Sequence, residues 1–165
     1  MQTAYFSLGA NLGDRAETIR RAADALVRAL HGEQPALSPL YETAPMYNED
    51  QPRFVNAALS LHTPLGAQAC LEAGQRVEEA FGRVRKERNG PRTLDVDLLG
   101  LGDVRVVSPH LTLPHPRMSE RAFVLTPLAD IAADWTPPGA TGDVRALCDI
   151  VGTAGVTPLN HAVSA

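Results

Sequence analysis

Cysteine is nearly absent from this chain of 165 residues: Cys70 and Cys148 are the only two, and neither stands in a CxxC pair. A disulfide framework and a cysteine-ligated zinc site both lack their ligands, and a reducing compartment suits such a chain. Nowhere do about 18 apolar residues stand together, and the N-terminus has no basic start leading into an apolar run. Neither a membrane span nor a secretory signal is expected, and the expected location is the cytoplasm. Aromatic residues are sparse at 5%, and basic residues are outnumbered, leaving a net charge of -4. A general nucleic-acid binder would need the opposite charge, and a base-stacking module would need more than the single aromatic found between Phe54 and His62. No Walker A motif is present, because Gly9-Ala10-Asn11-Leu12-Gly13 lacks the lysine and the hydroxyl residue that the motif requires.

What is present describes a globular enzyme-sized domain. Apolar residues at 44% and charged residues at 21% exclude disorder, collagen and coiled coil, and the length favours one domain over 1–165 without internal linkers. Charge is unevenly placed. The ten residues 83–92 hold Arg83, Arg85, Lys86, Arg88 and Arg92 against Glu87, a local +4 on a remainder that sums to -8. So compact a basic segment matches a small polyanion better than a long one.

Periodicity orders the elements. Thr3–Leu8 alternates as a strand, and Gly9–Gly13 predicts a turn. Asp14 and Glu17 form a capping box for a helix whose apolar face is Ile19, Ala22, Ala23, Leu26, Val27 and Leu30, with Gly32 as its stop. A second strand is expected over Leu37–Thr43, with Pro39 marking an edge or bulge, and Ala44–Pro52 is expected to be a loop. In Phe54–His62, Val55, Ala57, Leu59 and Leu61 face one way, and Phe54, Asn56, Ala58 and Ser60 the other. A second helix follows over Gly66–Phe81, then a strand over Thr93–Leu99. This order predicts an α+β, ferredoxin-like βαββαβ core, an antiparallel sheet with both helices on one face, followed by an irregular C-terminal extension over 133–165. Beyond the core, Val104–Val107 predicts a short strand, Ser119 caps a short helix that Pro127 breaks, and Asp143–Val151 is expected to be helical.

Chemistry concentrates where the basic segment meets the last core strand. Asp95 and Asp97 fall on one face of that strand, with Cα atoms about 6.6 Å apart, while Leu94, Val96 and Leu98 take the other. Two carboxylates so placed suit magnesium, which is commonly held by one or two carboxylates together with substrate phosphates. Arginines that neutralise phosphate beside such a pair are the residue types phosphoryl transfer needs.

The run Arg88-Asn89-Gly90-Pro91-Arg92-Thr93-Leu94-Asp95-Val96-Asp97-Leu98-Leu99 resembles the signature of the 6-hydroxymethyl-7,8-dihydropterin pyrophosphokinases of folate biosynthesis. Leu8–Asp14, Tyr41-Glu42-Thr43, Phe54–Ala58, Gly82–Arg85, Leu113–Met118 and Arg121–Leu125 agree in order and spacing, so the resemblance spans about residues 4–132. It implies a ferredoxin-like fold and transfer of a pyrophosphoryl group from ATP to the dihydropterin hydroxymethyl, with AMP released. It further implies that Asp95 and Asp97 hold two magnesium ions, and that Arg83 and Arg92 act with them on the phosphates. ATP would contact Arg83, Arg85, Arg92, Leu98, Thr112, His115 and Arg121. The pterin would contact Thr43, Pro45, Met46, Phe54, Asn56 and Phe123, with Glu78 behind the site. Asn89 stands where members commonly carry Trp. The expected partners are the two small substrates ATP and the dihydropterin, with no nucleic acid or membrane; the expected state is a monomer, with functional neighbours in the folate pathway. A ferredoxin-like RNA-binding module and a magnesium-dependent nuclease or phosphatase are the alternatives from other classes; turnover with and without pterin separates the latter.

Overall fold

The computed structural model describes residues 1–43, 53–81 and 93–159. Strand β1 (Gln2–Ala10) runs two residues beyond its expected end, so Gly9 belongs to the strand and not to a turn. Helix α1 (Arg15–Ala29) begins as its capping signal requires, the Glu17 N–H donating to Asp14 Oδ1 at 3.2 Å. It ends three residues before Gly32, with His31 at φ 51° and the Gly32 N–H donating to the Val27 carbonyl at 2.8 Å.

The single strand expected over Leu37–Thr43 is instead two strands, β2 (Glu33–Leu37) and β3 (Tyr41–Thr43). Pro39 has no N–H to offer a ladder. At the break, the Ser38 hydroxyl takes the N–H of Ala58 at 2.9 Å, so the neighbouring strand keeps its partner. That neighbour is β4 (Phe54–Thr63), which leads to α2 (Ala67–Ala80) and then β5 (Asp95–Leu101), displaced two residues towards the C-terminus from the expected Thr93–Leu99.

The main sheet is antiparallel throughout, in the order β5-β1-β4-β3, and β2 pairs with the far half of β4. Helices α1 and α2 cover one face, where Phe6, Leu8, Ile19, Leu26, Leu59, Leu61, Val77 and Leu98 form the main core. This is the expected βαββαβ arrangement.

The other face is covered in part. A ribbon of β6 (Val106–Val107) and β7 (Thr112–Leu113) and a 3-10 turn (Met118–Glu120) lead to α3 (Ala122–Ala132), α4 (Val144–Val151) and β8 (Val156–Pro158), which pairs with β3. Helix α3 lies on β4 and α4 lies on α3. Between them and the sheet Tyr5, Ala58, Leu99, Val124, Leu125, Leu128 and Leu147 form a second buried cluster. The Trp135 ring stacks on Tyr5 at 3.9 Å, and a Cβ on Gly100 would come within 2.4 Å of that indole. Pro127 was expected to break its helix, yet α3 continues through it. An interior proline costs about 3 kcal/mol, and burial of Val124, Leu125 and Leu128 at roughly 1.5 to 3 kcal/mol each outweighs that.

Candidate active site

Among the described residues the second helical layer packs on Tyr5, Ala58 and Leu99, and beyond them towards one end of the sheet the register sets several polar residues side by side. Asp95 on β5 lies opposite Gly9 on β1, Gly9 opposite Asn56 on β4, and Asn56 opposite Tyr41 on β3. Asp97 lies opposite Ser7, and Thr43 opposite Phe54. At ~4.8 Å between strands, Asp95 and Asn56 are separated by roughly 10 Å of floor. Gly9 makes that floor flat. A Cβ there would meet Asn56 Oδ1 at 2.8 Å, so any other residue would push the amide aside.

The carboxamide is fixed from its other side. Asn56 is buried, and its Nδ2 donates to Thr43 Oγ1 at 2.8 Å. Phe54 is half-buried at the rim. The first residue of the loop that follows Pro114, His115, is docked on β5 by its main chain, its N–H donating to the Leu99 carbonyl at 2.8 Å. His115 Nδ1 accepts from the Arg117 N–H at 3.2 Å, which leaves the ring proton on Nε2. Burial lowers the pKa of His115 and so keeps the imidazole neutral; the Asp97 carboxylate pulls the other way, and Arg121 and Arg117 add to the lowering. His115 thus meets β5 two residues along from Asp97, and main-chain bonds from Met118 to His115 and from Arg121 to Met118 bring Arg121 to the same corner. The Arg121 guanidinium lies 5.6 Å from the Phe123 ring centroid, at the positive end of α3.

Asp95 and Asp97 are half-buried on one face of β5, as their alternation implies, while Leu94 and Leu98 are buried in the core behind them. Glu78 approaches β5 from α2, and its Oε2 accepts from the Val96 N–H at 2.8 Å. Among the described residues no cluster of three or more His, Cys, Asp or Glu forms a metal cage. The all-oxygen pair nevertheless fits magnesium, whose remaining ligands are ordinarily water and phosphate.

A family model for 7,8-dihydro-6-hydroxymethylpterin-pyrophosphokinase (HPPK) matches residues 5–133. The chain belongs to this family. Among curated relatives it is similar to the 2-amino-4-hydroxy-6-hydroxymethyldihydropteridine pyrophosphokinase of Pseudomonas aeruginosa, 46% identical over 84% of this chain and 85% of that protein. It is similar also to the protein of the same name from Bacillus subtilis, 42% identical over 78% of this chain and 77% of that one. The fold matches the crystal structure of Plasmodium falciparum HPPK-DHPS at a TM-score of 0.66 and 16% identity, covering 91% of this chain and 43% of the larger one.

Against the residues the HPPK resemblance implies, the structure gathers Asp95, Asp97, Thr43, Asn56 and Phe54 on one end of the sheet, and His115, Arg121 and Phe123 at its margin. Leu98 points into the main core at 6% exposure, so only its main chain is left for a nucleotide. Thr112 sits on β7, in the separate ribbon. Arg83, Arg85, Arg92, Pro45 and Met46 lie outside the described residues. Two contributors escaped the sequence reading: Gly9, assigned to a turn, and the Arg117 main chain. A glycine inside an alternating run is the signal that marks the first; nothing local marks the second.

Proposed function

We propose that this end of the sheet is where the chain, an HPPK, transfers pyrophosphate from ATP to the hydroxymethyl group of 6-hydroxymethyl-7,8-dihydropterin in folate synthesis. The reaction rests on family membership. The placement rests on one observation, the row Asp95-Gly9-Asn56 with the Asn56 amide fixed by Thr43. In this reading the Asn56 carboxamide, both donor and acceptor, reads the edge of the pterin ring, and Phe54 and Phe123 offer apolar surface to its faces. His115 Nε2–H and the Arg121 guanidinium donate to phosphate oxygens in the corner beside Asp97. Arg83, Arg85 and Arg92 supply further positive charge by their place in the sequence, and Pro45 and Met46 belong to the pterin side on the same ground.

Asp95 and Asp97 would hold magnesium, two ions in the full complement, which would supply positive charge to neutralise the triphosphate. The chain's own part is positional: it brings the hydroxymethyl oxygen in line with the β-phosphorus, and AMP departs with the α–β bridging oxygen. Residues 1–165 act as one domain in this reading, supported by β8 pairing with β3 and by Trp135 on Tyr5 beyond the matched family segment. No described helix is long and apolar enough to cross a membrane. A cytoplasmic enzyme is the reading we adopt, supported by the two free cysteines, and we adopt a monomer with it.

Incubation with ATP, magnesium and the dihydropterin, followed by mass analysis, tests the reaction. AMP and an acceptor heavier by a whole pyrophosphoryl group are expected. ADP with a monophosphorylated pterin, or phosphate release independent of pterin, would overturn it.

A further inference from the structure

We infer that Arg15 is a positioning residue for the pterin side of the site, its guanidinium tying the end of β3 to the start of β4. The inference rests on the reading that Thr43, Asn56 and Phe54 receive the pterin. Arg15 Nη1 lies 3.0 Å from Glu42 Oε2 and donates to the Arg53 carbonyl at 2.7 Å. Glu42 directly precedes Thr43, and Arg53 directly precedes Phe54. Thr43 and Phe54 form the last described cross-strand pair of the β3–β4 ladder, so whatever fixes their two predecessors fixes that pair. One nitrogen thus spans both strands beside that pair.

Direction supports the assignment. Alternation turns Glu42 away from the face of Thr43 and towards the side that α1 covers, where Arg15 stands. Arg15 is also the first residue of α1, where the helix dipole disfavours a cation. A residue placed against its local preference is compensated elsewhere, and the two oxygens across the strand ends are the compensation. Both partners of the ion pair are only 27% exposed, so water screens the contact less than it screens a typical surface pair. Holding Thr43 holds Asn56 as well, because the Asn56 amide donates to the Thr43 hydroxyl.

Steady-state kinetics in both substrates for Arg15→Ala, Arg15→Lys and Glu42→Gln, with Asn56→Ala as reference and a thermal melt of each variant, provide the test. Arg15→Ala should raise KM for the dihydropterin about fivefold to tenfold, with KM for ATP and kcat changed by less than about twofold. Arg15→Lys should recover part of the loss, since an ammonium reaches one oxygen but not both. An unchanged pterin KM in Arg15→Ala beside a raised one in Asn56→Ala would overturn the inference alone. A rise in both KM values together, or a lower melting temperature with no kinetic change, would reduce Arg15 to a structural tie and also overturn it. An unchanged pterin KM in Asn56→Ala would remove the pterin placement itself and the inference with it.

Discussion

The Glu78 carboxylate reaches from α2 to the backbone of β5 and accepts the Val96 N–H at 2.8 Å, between the two aspartates and from the opposite side of the strand. Glu78 is itself buried, so a polar side chain has been taken out of water to grip the strand that carries Asp95 and Asp97. Removing the acceptor of a buried hydrogen bond leaves the donor desolvated, at a cost of about 1 to 3 kcal/mol. Glu78→Ala should therefore lower stability by about that amount in a denaturant titration and reduce kcat by roughly 10- to 100-fold, as supporting residues around metal ligands do. Glu78→Gln keeps an acceptor oxygen and should recover much of the stability. Full turnover in Glu78→Ala would show that β5 is held without it.

Asp95→Asn and Asp97→Asn separate metal binding from packing. Neither side chain belongs to a buried cluster, so both variants should keep the wild-type circular dichroism spectrum. Turnover should fall by about two orders of magnitude or more, because an amide holds a hard divalent cation far less well than a carboxylate. Near wild-type rates at saturating magnesium in either variant would contradict the assignment.

Gly9→Ala probes the floor of the site. The added methyl would sit 2.8 Å from Asn56 Oδ1, and the strand conformation itself tolerates alanine. The expected result is a pterin KM raised about tenfold together with a stability loss of about 1 to 3 kcal/mol, since the clash is relieved by moving the buried amide that reads the pterin and is held by Thr43. A stability loss without a change in pterin KM would place the strain elsewhere.

Tyr41 supplies a pH dependence of known sign. Its hydroxyl donates to Asp130 on α3, and burial, followed by that bond and the Asp130 charge, pushes its pKa up to about 12 from 10.0. The folded protein then holds this proton while the unfolded chain releases it, so the contribution is complete below pH 10 and is lost as pH rises from 10 towards 12. Stability of wild type and Tyr41→Phe, followed by denaturant titration between pH 9 and 12, should show the steeper fall in wild type. Parallel curves would mean that Asp130 does not hold the phenol.

How much of this was legible depends on the range of the interaction concerned. Period-two alternation needs only neighbours, and it placed Asp95 and Asp97 together on β5 and Asn56 with Phe54 on β4. The Asp14 cap of α1 is equally local. What covers a face is set by residues far along the chain. The second layer of α3 and α4, which covers part of the sheet's other face, depends on Leu125, Leu128 and Trp135 meeting Tyr5, Ala58 and Gly100.

The sequence by itself therefore determined the order of elements, the carboxylate pair and the family, because each is carried by spacing along the chain. Only the tertiary structure decided that Gly9 is a flat floor and not a turn, that Pro127 stays inside a helix, and that His115 is held against β5 as a neutral donor. Each of those outcomes is a contest between a local preference and burial against distant residues, and burial is settled only when the chain has closed on itself.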